Sequence, residues 1–321
     1  MELNPELAAF LDLVDAGRRS GDTRPLHALA PNQARREFAM ASRALDTSGE
    51  DGVQRRAVTV PTRDGAAIAA RLYVPGALVS TAERPLLLYF HGGGYVVGGL
   101  DTHDALCGSL ALRTPCAVLS VDYRLAPEHK FPTAVDDAVD AFKHVVTAGL
   151  ELAVDIRRIA VGGDSAGAGL AAVLAIMAAR DRAIFGVAPV LQALLYPVTD
   201  ASCASASMEL FGEGYLLEAE TLRWFHALYA RTADDFADWR FSPLLAPDLS
   251  RVAPAFVALA EFDPLLDEGL AYAQKLEAAG APVTFRIYEG MTHDFLRMAA
   301  LFPEAQAAHA DIAAAMAAAF A

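Results

Sequence analysis

Two periodicities divide this chain. Over residues 1 to about 50, apolar positions recur at helical spacing: Leu7, Phe10, Leu11 and Val14 share one face, and a second helical segment is predicted from Pro25 to Leu45. From Gln54 the pattern changes to alternation. The stretch RRAVTVPTRDGAAIAARLYVP reads as two strands joined at Asp64-Gly65, a pair suited to a tight hairpin turn. Short apolar runs then follow at 85–90 (PLLLYF), 116–123, 157–164, 191–197, 255–262 and 283–289, separated by helical stretches. Strands alternating with helices predict a mostly parallel sheet covered on both faces, with the opening hairpin as an antiparallel edge. The rhythm breaks between Thr199 and about Asp248. No strand is evident there, only helical pieces around Glu218–Tyr229 and an aromatic set of Phe211, Tyr215, Trp224, Phe225 and Tyr229. An insertion of that length after a strand reads as a lid, with the helical N-terminus joining it. The expectation is one α/β catalytic domain over 51–321, an N-terminal helical cap segment over 1–50 and a second cap segment inserted at about 200–248.

Composition narrows the partners. The chain has 321 residues, 54% hydrophobic and 21% charged, enough apolar material for a large core. A formal net charge of −14 argues against nucleic acid or an anionic membrane as a partner. The acidic, amphipathic N-terminus lacks the basic start and apolar middle of a signal peptide. The most apolar stretch, AGAGLAAVLAIMAA, is too short to span a membrane and reads as a buried helix, and the alanine-rich tail from Ala305 as a surface helix. No stable membrane association is expected. Three cysteines, Cys107, Cys116 and Cys203, with no C-x-x-C, fit buried thiols in a reduced cytoplasmic protein.

The chemistry sits where strands end. After RRIAVGG comes Ser165 inside G-x-S-x-G, Gly163 to Gly167, followed at once by a helical run. Small flanking residues let the chain turn sharply from strand to helix and hold the serine hydroxyl exposed. An alcohol needs a base to act as a nucleophile near neutral pH. Of eight histidines, His27, His144, His226 and His309 lie in helical stretches, and His91, His103 and His129 in loops upstream of Ser165. His293 alone follows the last strand, and it is the base assigned here. The first acid off the preceding strand is Asp263. The order Ser165, Asp263, His293 is that of α/β-hydrolases. A base of this kind predicts that kcat/KM rises with pH through roughly 6–7.5.

The loop HGGG, His91 to Gly94, completes the set. Attack by Ser165 on an ester carbonyl creates an oxyanion, which needs backbone N–H donors about 2.7–3.1 Å away. Gly93, Gly94 and Ala166 are assigned as those donors, with His91 and Gly92 supporting the loop. A phosphate cradle is excluded as an alternative: no lysine follows a glycine, and no G-x-G-x-x-G opens a helix after the first strand. Metal-ligand spacings are absent too, so no cofactor and no metal is indicated. In the lid, Phe211, Tyr215, Leu216 and Leu217 are the residues expected to meet substrate.

With HGGG, DYRLAPEHKFP (Asp122–Pro132), GDSAG, LYPVTD (Leu195–Asp200), FDPLLDEG (Phe262–Gly269) and GMTHDF (Gly290–Phe295), the chain resembles the hormone-sensitive lipase-like esterases, bacterial family IV of the α/β-hydrolases. The motifs run in family order over about two-thirds of the chain. The resemblance implies an α/β-hydrolase fold with a helical cap and a carboxylesterase acting on small-molecule esters of short to medium acyl chain. It also implies structural roles for Arg124 and Glu128, and a homodimer through the edge of the last strand, VTFRIYE. The same triad would serve an acyltransferase or an amide, carbamate or lactone hydrolase. A non-catalytic receptor would keep the pocket without turnover.

Overall fold

The computed structural model describes residues 2–45, 52–81 and 83–321. The junction between the expected spans 1–50 and 51–321 falls at residues 46–51, outside the described residues. Eight strands form one sheet: β1 (Val53–Pro61), β2 (Ala67–Pro75), β3 (Arg84–Phe90), β4 (Ala117–Val121), β5 (Val154–Asp164), β6 (Leu191–Leu195), β7 (Ala255–Phe262) and β8 (Val283–Thr292). Their order is β1-β2-β4-β3-β5-β6-β7-β8. The hairpin β1–β2 and the pair β2–β4 are antiparallel, and every later pairing is parallel.

Two helices precede the sheet, α1 (Pro5–Ser20) and α2 (Pro31–Leu45); the connections between parallel strands carry α3 (Asp104–Arg113), α4 (Thr133–Thr147), α5 (Gly149–Leu152), α6 (Ala166–Arg180), α7 (Arg182–Phe185), α8 (Ala206–Phe211), α9 (Ala219–Tyr229) and α10 (Leu266–Ala278), and α11 (Pro303–Phe320) follows the last strand. Alternate residues of β3 serve opposite faces. Leu86, Leu88 and Phe90 join a core with residues of α4 and α6, while Leu87 and Tyr89 join a second core with residues of α3 and α11. That is why the strand is apolar at nearly every position and buried throughout. The alanine-rich tail forms a helix with one buried stripe, Ala305, Ala308, Ile312, Met316 and Phe320.

The N-terminal helices obey local rules. The side chain of Asn4 accepts the N–H groups of Glu6 and Leu7, Pro5 opens α1, and Gly21 closes it in the left-handed conformation. The helical segment expected from Pro25 begins later. Leu26–Ala28 form only a 3-10 turn, and α2 starts at Pro31, since a proline inside a helix removes a hydrogen bond and restricts the residue before it. Arg35 of α2 ties this segment to the loops that follow β3 and β4, donating to the carbonyls of Val96 (2.8 Å) and Ala126 (2.7 Å) and to the carboxylate of Glu128. Arg124 grips Asp137 and Asp64. Cys107 and Cys116 are buried thiols. Cys203 is only half-buried, 3.5 Å from His226 Nδ1. No helix among the described residues is long and apolar enough to cross a membrane.

Candidate active site

β5 ends at Asp164, α6 begins at Ala166, and Ser165 occupies the turn between them with φ 54° and ψ −120°. A positive φ on a residue with a Cβ is strained by about 1–3 kcal/mol. The surroundings enforce it: the Ser165 N–H donates to Leu195 O at 2.8 Å, and its carbonyl accepts the N–H of Gly169 and of Val198 at 3.1 Å each. The hydroxyl is thereby aimed at a base.

That base is His293, in the turn that follows β8. His293 Nε2 lies 3.0 Å from Ser165 Oγ, and His293 Nδ1 lies 2.7 Å from Asp263 Oδ2. A carboxylate only accepts, so Nδ1 carries the proton and the Ser165 hydroxyl donates to Nε2. Asp263 stands just past β7, its other oxygen accepting the Leu265 N–H at 2.8 Å. The three side chains, 98 and 30 residues apart in sequence, form one hydrogen-bonded chain. Tyr196 packs against the imidazole with ring centroids 4.6 Å apart. Asp294, next to His293 in sequence, turns away and pairs with Arg297 at 2.7 Å.

Burial works against the charged form of His293, but the Asp263 carboxylate and its hydrogen bond outweigh it, with Asp294 and Asp164 adding to the same side. The imidazole pKa is therefore held above its ordinary 6.5. Because attack needs the neutral ring, kcat/KM should fall as pH drops through a midpoint above about 6.5 and reach a plateau on the alkaline side. A pH–rate profile that stays flat from pH 5 to 8, with circular dichroism showing folded protein, would remove His293 from the role of base.

The glycine loop lies against the same cavity. Gly93 (φ 116°) and Gly94 (φ 59°) take up backbone conformations that disfavour any other residue. A Cβ on Gly94 would come within 2.1 Å of the Phe225 ring, and one on Gly93 within 2.2 Å of the Val97 carbonyl oxygen. The N–H groups of Gly93, Gly94 and Ala166 donate to no protein acceptor among the described residues. Ala166 is the first residue of α6, where an unpaired N–H is inherent to the helix start. Gly92 differs: its N–H donates to Asp164 Oδ1 at 3.0 Å, so it anchors the loop and is not available to an oxyanion. Gly94→Ala keeps the N–H, but its Cβ would collide with the Phe225 ring and push the loop out of line, so kcat should fall by up to about 10^2–10^3-fold, the cost of losing one aligned donor. Wild-type kcat in this variant, read at saturating p-nitrophenyl acetate, would mean that Gly94 does not carry a donor.

His91 is buried and neutral, its pKa pushed down to about 3 by burial and by His103. Its Nδ1–H donates to Gly92 O at 2.7 Å while the ring stacks on Tyr123, centroids 4.3 Å apart. The chain pattern did not single out Asp164 or His103. The buried carboxylate of Asp164 also accepts the Tyr89 hydroxyl at 2.6 Å and lies 3.1 Å from His103 Nε2. Burial alone would raise its pKa, but His103 and Tyr89 hold it below the usual carboxylate range. Asp164, the residue preceding the nucleophile, thus fastens the oxyanion loop to the nucleophile turn. Its position inside GDSAG is the one local sign of this.

These residues open onto a cavity of about 340 Å3 that contains Ser165, His293, Gly93 and Gly94 in its wall. Leu216 and Leu217 line it, as do Phe225 and Leu222 of α9, Phe10 of α1 and Phe38 of α2. Phe211 and Tyr215 do not, which corrects the expectation for those two. Their rings pack instead on Phe262, with centroids 5.5 Å and 5.6 Å away, behind the triad acid. A large aromatic beside a buried phenyl gains more from that contact than from facing an open cavity. Arg18 pairs with Glu218, so α1 and the start of α9 meet at the cavity. No group of three or more His, Cys, Asp or Glu side chains among the described residues is arranged to hold a metal ion.

Comparison with known proteins agrees with this geometry. A family model described as alpha/beta hydrolase fold matches residues 87–297. An ethyl acetate hydrolase of Pseudomonas putida is 47% identical over 305 residues, covering 95% of each chain. Among solved structures, an ester hydrolase from the metagenome of Lake Arreo, complexed with a bipyridine phosphonate derivative, superposes with a TM-score of 0.93 at 39% identity over 99% of both chains. A hyperthermophilic esterase of Pyrobaculum calidifontis gives 0.92 at 37% identity, also over 99% of both. The chain belongs to the hormone-sensitive lipase-like branch of the α/β-hydrolases, and it is a carboxylic ester hydrolase.

Proposed function

We propose that this protein hydrolyses small-molecule esters of short to medium acyl chain through a covalent acyl-enzyme on Ser165. The observation that carries the reading is the continuous chain from Ser165 Oγ to His293 Nε2 (3.0 Å) and from His293 Nδ1 to Asp263 Oδ2 (2.7 Å). Ser165 attacks the ester carbonyl as His293 takes its proton. Gly93, Gly94 and Ala166 stabilise the oxyanion. The imidazolium, oriented by Asp263, then protonates the leaving alcohol, and a water activated by neutral His293 releases the acid. The N-terminal helices and the insertion carrying α8 and α9 act as one cap, since residues of α1, α2 and α9 share a cavity with the triad. We also infer a cytoplasmic homodimer joined along β8. That strand ends the sheet, and its Phe285 and Ile287 are 39% and 40% exposed.

Turnover of p-nitrophenyl esters of increasing acyl length, together with intact-mass analysis after treatment with an alkyl phosphonate, tests the reading. The expected result is turnover that peaks at short acyl chains and one phosphonyl adduct, mapped to Ser165. A folded protein that neither turns over any ester nor takes the adduct would overturn it.

A further inference from the structure

Asp164 is a buried carboxylate in the wall of the active-site cavity, beside Gly92, Gly93 and Gly94. A negative charge there opposes the oxyanion that the same loop has to stabilise. We propose that His103 is a buried imidazolium that neutralises Asp164 and so keeps the oxyanion side of the site free of net negative charge. The inference rests on the ester-hydrolase reading above.

The hydrogen bonds fix the protonation of His103. Its side chain is fully buried, with Nε2 3.1 Å from Asp164 Oδ2 and Nδ1 2.8 Å from Thr102 Oγ1. The carboxylate only accepts, so Nε2 donates. Thr102 Oγ1 also lies 2.9 Å from the Gly99 carbonyl oxygen, another pure acceptor, and a hydroxyl has one proton to give. That proton serves Gly99, so Nδ1 must donate to Thr102. A ring that donates from both nitrogens is charged. A neutral ring would leave one of the three contacts without a proton in it.

Among the described residues, no other cation lies at ion-pair distance from Asp164. Arg297 acts on it only from further away, since its hydrogen bonds go to Asp294 and Ser42. The other groups around the pair carry no free charge. Asp104 of α3 is held by Arg55, Arg71 and Tyr73, and the His91 ring, 5.5 Å from that of His103, is neutral. Burial pushes the Cys107 thiol and the Tyr89 and Tyr123 phenols up, which keeps them protonated. The start of α3 disfavours a cation, so it is Asp164 that holds the second proton on His103. Asp164 is hydrogen-bonded to the donor loop through the Gly92 N–H and to no atom of His293, so its charge bears on the oxyanion more than on the imidazolium.

His103→Gln tests the proposal, because the amide can still donate to Asp164 and only the charge is lost. Tyr89 and Gly92 keep donating to the carboxylate, which stays ionised. On p-nitrophenyl acetate, kcat should fall about tenfold with KM changed by less than about twofold. The acidic limb of kcat/KM should move to higher pH. His293 also faces Asp263, Asp294 and Tyr196, none of which is altered, and the Asp164 carboxylate already favours its charged form. Uncompensated, Asp164 favours it more. Adding Asp164→Asn removes the stranded charge and should recover most of the lost kcat and return the limb to its wild-type position or below. In the imidazole 15N spectrum at pH 7, one ring protonated at both nitrogens should disappear in His103→Gln and equally in Asp164→Asn, so either variant that folds identifies it. Wild-type kcat and an unmoved limb in His103→Gln, a loss that the double variant does not recover, or a His103 ring with one bare nitrogen would each overturn the proposal, while ester turnover by the wild type upholds the hydrolase. A folded wild-type protein inert on every ester would overturn the hydrolase reading instead, and the 15N spectrum would still decide the charge of His103.

Discussion

Ser165→Ala is expected to lower kcat/KM by about 10^5–10^6-fold on p-nitrophenyl acetate without unfolding the protein. The hydroxyl is the atom that becomes bonded to the acyl group, so removing it removes the pathway rather than weakening a contact. What remains is the slower attack of water on an ester held by the cavity and the oxyanion donors. The fold should survive because the strained φ of 54° at this position is imposed by three backbone hydrogen bonds that alanine keeps. The lost hydroxyl had one side-chain partner, His293 Nε2, which lines the cavity and can turn to water. Steady-state kinetics beside a thermal melt distinguishes the outcomes. A variant with wild-type melting and more than a hundredth of wild-type activity would mean that another residue is the nucleophile.

Asp263→Asn should cost about 10^4-fold in kcat near neutral pH, with substrate affinity little changed. The Leu265 N–H donates to Asp263 Oδ1 at 2.8 Å, so the asparagine carbonyl oxygen will keep that position. Its NH2 must then face His293 Nδ1, which can meet it only as an acceptor. The ring proton moves to Nε2, and Nε2 can no longer accept the proton of Ser165. The prediction thus has a structural signature: a reversed tautomer, visible in the imidazole 15N shifts. Loss of the carboxylate also removes the main influence holding the His293 pKa up, so the acidic limb of the pH profile should move to lower pH. Near-normal activity in Asp263→Asn would assign the orienting role to a different acid.

Much of this site could be read from single short segments, because each part's chemistry demands a local backbone form. A serine exposed between strand and helix needs small neighbours, so GDSAG announces itself. A loop that must offer bare N–H groups needs glycines, and HGGG supplies them after the apolar run of β3. The base and the acid were legible for a different reason: in a parallel sheet, the residue just past a strand reaches the ligand end, and His293 and Asp263 each follow one.

The supporting interactions were not legible in that way. Asp164 meets Tyr89, Gly92 and His103 across 75, 72 and 61 residues of chain, and no periodicity encodes such meetings. The sequence pattern did not single out Arg297, yet it joins the His293 segment to α2 across 255 residues. The aromatic set after β6 looked uniform. Packing separated its members, placing Phe225 over the oxyanion loop and Phe211 and Tyr215 against Phe262.

By itself, then, the sequence determined the sheet, the hairpin edge, the nucleophile turn, the bare loop and the three residue types at their strand ends. Those depend on backbone conformation and burial period, which neighbouring residues dictate. Only the tertiary structure decided how wide the cavity is, which cap residues face it and what holds the loop and the base in place. These depend on side chains that meet after the chain has folded, where a change of one ångström separates a wall from an opening.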